Sequence, residues 1–491
     1  MIYNKEVLKS CLVKLTFICL LASTVFAKYS GGSGTEADPY LIATPQDMNT
    51  IGADSNDWSK HFKMIADVNL AAYTGTEFKL IGTQGKQFLG VFDGNGHDIM
   101  NFTYVDNNMS SYKGLFGHIG TGGTISNLTM KNVNVSVSKT IYFGALCGYL
   151  DYGKISNCSI NNGTVTGYED CGGMIGRVSN GTVENCTSNL DVVGTINVGT
   201  LVGSNIHGLI TKSCSSGNVT GESEVGGLVG YNSSGGYISE CFSNAEVFGD
   251  YAGGLVGYSG SDNSSIVINC YARGDVGGNH VGGFMARNYC ATVKNCYSTG
   301  SILEGSVIGG FISSTNGCLS AVCTSSYWDR QTSGTSYSYQ GTKKTTVEMM
   351  QRATFVGWDF VGEIINGRED IWRMCIDGLG YPKLSWEFKA GDFVCPDGVD
   401  FIDYAVLAKQ WMLTKLSFDV APLGGDGIVN FLDFAVFANN WQGDIVQLSE
   451  FASQWLQRGA YNADIAPEPG GDGIVNFLDF AVFAENWLKG N

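Results

Sequence analysis

The sequence predicts an all-β right-handed parallel β-helix followed by a small α-helical domain. Three observations carry this expectation. A glycine phrase recurs as KGLFG at Lys113, GALCG at Gly144, GGMIG at Gly172, GTLVG at Gly199, GGLVG at Gly226 and Gly253, GGFMA at Gly282 and GGFIS at Gly309. Its steps are 31, 28, 27, 27, 27, 29 and 27 residues. Between copies lie short runs of alternating apolar and polar residues bounded by Gly, Asn and Ser, such as TVENCTSNLDVVG from Thr182, the pattern of strand and turn. A unit of this size cannot bury a hydrophobic face alone, whereas stacked copies share one continuous core, and parallel crossovers are right-handed. Finally, GGDGIVNFLDFAVFA occurs twice, from Gly424 and from Gly470, with Phe434, Phe437, Ala438 and Trp441 at helical spacing.

Composition sets the outer limits. The chain has 491 residues, 44% of them hydrophobic, which excludes a disordered chain. It has 68 glycines but only 7 prolines and no G-X-Y period, which excludes collagen. The net charge is −17, from 29 basic and 46 acidic residues, so nucleic acid is not an expected partner.

At the amino end, Lys5, Lys9 and Lys14 precede LTFICLLASTVFA, a run too short to span a membrane that ends in Val25, Phe26 and Ala27. Residues 1–27 therefore read as a secretory signal, and the mature chain is expected outside the cell or on its surface. No later stretch reaches the ~18 apolar residues of a transmembrane helix. Of the 15 cysteines, Cys11 and Cys19 leave with the signal, and 13 remain. Residues 28–112 are read as an amino-terminal cap, 113–328 as the repeat β-helix, 329–390 as its exit and 391–491 as a separate module.

Within the repeats a second column keeps the same phase: Cys158, Cys186, Cys214, Cys241, Cys270, Cys296 and Cys323. Successive coils would bring these within disulfide reach in an oxidising compartment, and they equally suit a stack of small buried thiols. Asn157, Asn185, Asn269 and Asn295 each precede a column cysteine and are expected to form an amide ladder at a turn instead of glycosylation sites. The glycines are expected at corners, where φ > 0 or close approach is required. Asp93 and His97 in FDGNGH read as part of a tight turn.

The GGLVG phrase at this period resembles the GLUG-motif family of secreted bacterial proteins, found in adhesins, surface proteins and some proteases. GSGTEADPYLIATPQDM from Gly32, FDGNGHDI from Phe92, SYWDRQTSG from Ser326 and DIWRMCIDGLGYPKLSW from Asp370 resemble the flanks of such domains, so the resemblance covers residues 30–390. It implies a scaffold and assigns no chemistry to the phrase itself.

From Gly391 onward there are 14 acidic residues against Lys409, Lys415, Arg458 and Lys489, a net of −10. Each copy of the duplicated phrase carries Asp-Gly-x-x-Asn-x-x-Asp: Asp426, Asn430 and Asp433, then Asp472, Asn476 and Asp479. Hard oxygen ligands around a turn glycine and ahead of a helix are the parts of an EF-hand-like calcium loop. The module resembles type I dockerins, which implies calcium as cofactor and a cohesin-like or cell-surface protein as partner. The loops depart from that pattern: four residues before Asp426 stands Pro422, and before Asp472 Glu468, so Asp419 and Asp464 are expected to complete them. The alternative is that Asn430 and Asn476 are helix N-caps that bind no metal.

For function, the sequence supports a non-catalytic secreted or cell-surface binding protein whose β-helix contacts a glycan or protein. The alternative is a polysaccharide lyase or glycoside hydrolase on the β-helix, which would need two placed carboxylates or a metal-assisted base. Charges in the repeats, among them Asp151, Glu169, Asp170, Asp191, Asp250, Asp262, Asp275, Lys154, Arg177, Arg273 and Arg287, read as scattered, with no two at one coil phase that form a site. His61, His97, His118, His207 and His280 are isolated in sequence. No Gly-x-Ser-x-Gly elbow, zinc motif or phosphate loop occurs.

Overall fold

The computed structural model describes residues 28–389 except 109, 110, 316, 363, 364 and 368, together with 392, 403, 428, 433 and 436. These form an all-β parallel solenoid of about nine turns with few helices. Its three faces are stacks of 11, 21 and eight short strands. One coil shows the plan. Thr182–Glu184 lies on the first face, Thr187–Val193 and Ile196–Gly199 on the second, and Val202–Ile206 on the third. Leu209–Thr211 then pairs in parallel over Thr182–Glu184, with Thr182 opposite Leu209, 27 residues on. The side chain that points inward at one level therefore stacks on its equivalent at the next: Ile125, Ile155, Val183, Ile210, Ile238, Val267 and Val293 form one continuous buried row.

The corner between the second and third faces is the glycine phrase. None of its glycines in the GGLVG copies has a positive φ; what each avoids is collision. A Cβ on Gly226 would lie 1.9 Å from the Val229 carbonyl oxygen, one on Gly227 2.1 Å from that of Gly254 in the next coil, and one on Gly230 2.4 Å from the Val198 nitrogen. Inside the corner, the buried Ser188, Ser215 and Ser298 donate to the carbonyls of Thr200, Gly227 and Gly310 at 2.6, 2.7 and 2.8 Å, satisfying acceptors that the turn leaves unpaired.

Positive φ falls instead to asparagine. Asn127, Asn157, Asn185, Asn269 and Asn295 all adopt φ between 52° and 54° where the first face turns into the second. Their amides stack as expected from sequence: Asn157 donates to Asn127, Asn185 to Asn157 and Asn295 to Asn269, at 3.1, 3.1 and 3.2 Å. Lys212, Glu240 and Ser325 hold the same conformation at the other levels. The FDGNGH segment is the turn anticipated, with Asn95 at φ 52° and its N–H on the Asp93 carboxylate at 2.9 Å.

The cysteine column needs correction at two levels. Cys158, Cys186, Cys241, Cys270 and Cys296 are buried free thiols in one stack. Cys214 pairs with Thr187 and Phe242 on the second face, one residue out of phase, and Ser213 occupies the column, its hydroxyl accepting from the Cys186 N–H. Cys323 lies opposite Val293 on the first face, and Ser326 takes the column place beside Cys296. Both substitutes are small and buried, which is what the position demands. Each thiol of Cys186, Cys241, Cys270 and Cys296 points at the carbonyl two residues earlier, at 3.1 to 3.3 Å. Burial pushes the thiols of Cys186, Cys241 and Cys270 far above the ordinary range, so they are inert packing groups. Cys290 and Cys318, 28 residues apart and outside the column, form a disulfide, and Cys375 is also disulfide-bonded.

The two ends are closed differently. Helix Pro45–Ala53, started by a capping box between Thr44 and Asp47, buries Met48 and Ile51 at the amino end. Residues 345–388 fold back over the second face and bury Phe355, Trp358, Trp372 and Leu384 against Tyr271 and Tyr297 in a second core. The Trp386 indole donates to the Glu240 carbonyl at 2.9 Å, and Arg273 and Tyr297 both donate to that of Pro382. Of the carboxyl-terminal module expected from sequence, all but residues 392, 403, 428, 433 and 436 lies outside the described residues.

Among the described residues nine cysteines are free. Thiol titration of the unreduced, denatured chain after signal removal is expected to count nine; a count near zero would show that the column is disulfide-bonded.

Candidate functional site

Two rows of side chains flank the glycine corner on its outer side. The first row stands two residues before the first glycine of each phrase and consists of Tyr112, Tyr142, Asp170, Asn197, Glu224, Tyr251 and His280. The second stands immediately after the phrase and consists of His118, Tyr149, Arg177, Ser204, Tyr231, Tyr258 and Arg287. Because the last glycine of a phrase has no Cβ, the third face packs directly against the strand of the preceding coil. A Cβ on Gly176 would fall 2.2 Å from the Phe143 nitrogen, and one on Gly257 2.5 Å from the Glu224 carbonyl carbon. The two rows therefore meet diagonally across the corner, each second-row residue beside the first-row residue of the coil before.

Contacts along this strip run both across that offset, as from Arg177 to Tyr142 and from Arg287 to Tyr251, and along each row. At the amino end Tyr112, His118, Tyr142 and Tyr149 form a ring cluster with centroids 4.9 to 5.4 Å apart. Arg177 then covers the Tyr142 ring at 5.1 Å and donates to its hydroxyl at 3.1 Å. Beyond it, Asp170 accepts from the Asn197 amide at 2.7 Å and lies 3.6 Å from Arg177. A second aromatic patch follows. Tyr231 and Tyr258 stack at 5.0 Å with an interplanar angle of 13°, and Tyr251 stacks on His280 at 4.5 Å. Arg287 lies 3.6 Å over the Tyr251 ring and pairs with Glu224 at 2.7 Å.

Five first-row residues, Tyr112, Tyr142, Asp170, Asn197 and Glu224, hold φ between 48° and 64°. Asparagine suits this conformation; tyrosine and glutamate do not, and keeping them there costs of order 1 kcal/mol each. The turn itself would be served by Asn or Gly, so packing alone does not account for the side chains found.

The Asp170 carboxyl is only 2% exposed, and burial pushes its pKa up to about 6 despite the Asn197 and Arg177 contacts that oppose the shift. Burial lowers the pKa of His118, so its ring, on Gln87 at 3.2 Å, is neutral at pH 7.

The structure thus corrects the reading of Asp170, Arg177 and Arg287 as scattered. They share one strip with His118 and His280, which read as isolated in sequence, and with the tyrosines, which sequence reasoning left out. Arg273 belongs elsewhere, in the second core. The expected calcium ligands lie almost wholly beyond view: Asp419, Asp426, Asn430, Asp464, Asp472, Asn476 and Asp479 are outside the described residues, and Asp433 is helical and buried. Among the described residues no group of three His, Cys, Asp or Glu side chains is placed to hold a metal ion. No described helix is long and apolar enough to cross a membrane.

Ionisation of Asp170 is disfavoured in the folded chain, so its contribution to stability is complete below about pH 4 and is lost as pH rises through about 6. Asp170→Asn, which cannot ionise, is therefore expected to gain melting temperature relative to the parent between pH 4.5 and 7.5. Scanning fluorimetry at the two pH values checks this; a difference that is independent of pH would contradict it.

No family profile matches the chain. A protein of Evansella cellulosilytica described as a Gly-rich membrane protein is 36% identical over 394 residues, 69% of this chain and 44% of that one. Halomucin of Haloquadratum walsbyi is 32% identical over 158 residues, 31% of this chain and 2% of its own length. The chain thus spans less than half of either relative. Among solved structures, a protein assigned as an immunoglobulin A1 protease from Bacteroides ovatus aligns over 73% of this chain and 96% of its own, with TM-score 0.42 and 21% identity. An IgA1 protease aligns over 58% of this chain and 21% of its own, with TM-score 0.32 and 14% identity.

Proposed function

We propose that this is a secreted or surface-displayed, non-catalytic binding protein whose solenoid holds an extended glycan along the corner strip. The observation that carries the reading is the strip itself: half-buried tyrosines and paired Arg, Asp, Asn and Glu side chains continue over seven coils on one edge. Tyrosine offers an apolar face and a polar tip, and the fixed Arg and carboxylate groups offer directed hydrogen bonds, the combination a sugar ring requires. The spacing of coils, about 4.8 Å, sets such groups at regular intervals along the axis. A cleaving enzyme would need two free carboxylates facing one bond. Asp170 and Glu224 share a row, but each is engaged, Asp170 with Asn197 and Arg177 and Glu224 with Arg287, which favours holding over cutting.

Retention on a glycan array followed by affinity electrophoresis tests the proposal. Paired Tyr231→Ala and Tyr258→Ala substitutions are expected to weaken retention by about tenfold, from roughly 0.5–1.5 kcal/mol per ring. The corresponding Phe variants should keep most of it. Release of reducing ends or unsaturated products from a pectin, alginate and xylan panel would overturn the non-catalytic reading.

For residues 391–491 we infer a calcium-dependent docking role, with Asp419, Asp426, Asn430 and Asp433 in one loop, Asp464, Asp472, Asn476 and Asp479 in the other, and a cohesin-like or cell-surface partner. The supporting feature is the duplicated Asp-Gly-x-x-Asn-x-x-Asp phrase in a stretch of net charge −10. Calorimetry of the full chain is expected to show calcium heat that Asp426→Asn with Asp472→Asn abolishes. Absence of heat and of a thermal shift at millimolar calcium would refute it.

A further inference from the structure

The amino end of the strip opens into a cleft of about 980 Å³ whose wall carries Lys79, Lys113 and Lys139 together with Tyr104, Tyr112 and Tyr168. The three lysines come from three successive coils, 34 and then 26 residues apart, so they climb the axis one per level. No acidic side chain is among the described residues lining the cleft, in a chain whose net charge is −17. Lys113 is anchored: its ammonium donates to the Tyr104 hydroxyl at 3.2 Å and pairs with Asp106 at 3.3 Å, with 15% of its side chain exposed. Lys79 and Lys139 are exposed and have no ion pair among the described residues.

Resting on the glycan reading above, we infer that this cleft binds an anionic polysaccharide, carboxylated or sulfated, whose chain continues onto the strip. The physical argument is one of placement. A cleft lined by one sign of charge with low-dielectric walls concentrates counter-ions far more than the same lysines would on an open surface. Tyr112, half-buried, and Tyr168, exposed, supply ring surface beside the ammonium groups, while Tyr104 is buried beneath Lys113 and holds that ammonium in place, so one bound unit meets an aromatic surface and a cation together. Tyr112 is also the first member of the outer row, which makes cleft and strip a single path. The lysines lie on successive levels but not in one column, since Phe143 stands over Lys113 four residues beyond Lys139, so they present a spread of cations across the cleft instead of a single file. An acidic chain repels a polyanion at long range, so recognition of this kind depends on the local cluster and weakens with salt.

The test compares the full chain, a Lys79→Ala/Lys139→Ala variant and the Tyr231→Ala/Tyr258→Ala variant on polygalacturonate, dextran sulfate and uncharged dextran and galactan. Both lysines are exposed, so the fold is expected to be unchanged, which circular dichroism verifies. The native chain should retain polygalacturonate or dextran sulfate, and whichever is retained identifies the anionic group. The lysine variant should lose that retention by about tenfold or more, with loss of its salt dependence, and should treat uncharged glycans as the native chain does. Unchanged retention of both anionic probes by the lysine variant overturns the inference and leaves the strip reading standing, as does equal loss on charged and uncharged glycans. Failure of every glycan to bind, with no effect of either variant, overturns the strip reading as well.

Discussion

The solenoid depends on backbone reaching backbone without an intervening Cβ. At Gly226, Gly227 and Gly230 the forbidden contacts are with carbonyl or amide atoms of the same or adjacent coils, and such atoms cannot move aside as a side-chain end can. Closing that corner draws the third face against the second, aligns the apolar rows in the interior and leaves an orphan carbonyl that Ser188 and its equivalents satisfy. It also decides what happens outside. Only because the corner is so tight does Arg177 reach Tyr142, and Arg287 reach both Tyr251 and Glu224.

Two kinds of turn divide the work along each coil. Where the glycine phrase supplies proximity, asparagine supplies handedness, and the Asn127–Asn157–Asn185 amides add hydrogen bonds that run parallel to the axis. The column cysteines follow directly after these turns, in space that admits a small group with a weak donor. Ser213 and Ser326 meet the same requirement, which is why a cysteine can slip by one or three residues without disturbing the stack.

Much of this is legible in the residues. Phrase period, strand alternation and the asparagine ladder follow from spacing alone, because each is a local demand repeated in every coil. The strip escapes such reading, although its signal is present: counting two residues back from the first glycine and one forward from the end of the five-residue phrase gives both rows. Charges compared by their own spacing look unrelated, since Asp170 and Glu224 are separated by an asparagine level and Arg177 and Arg287 by three uncharged ones. Their relation emerges only in the frame of the corner. The lysine cleft is less legible still, because Lys79 and Lys139 belong to coils that lack a regular phrase spacing. The packing of residues 345–388 on the second face depends on contacts such as Trp386 with Glu240, 146 residues apart, for which no periodic signal exists.

Indexing surface side chains to a repeated corner has a consequence for how such a chain can change. Insertion or loss of one coil between copies of the phrase on the amino side of Gly226, such as those at Gly172 and Gly199, alters each outer row by one member and preserves the phase of every other. The length of the outer strip then varies in whole steps while the chemistry at each step varies by single substitutions. The back-folded segment sets a boundary on this freedom: it grips Glu240, Arg273 and Tyr297 individually, so coils beneath it are locked as a unit, whereas those nearer the amino end are free to be counted anew.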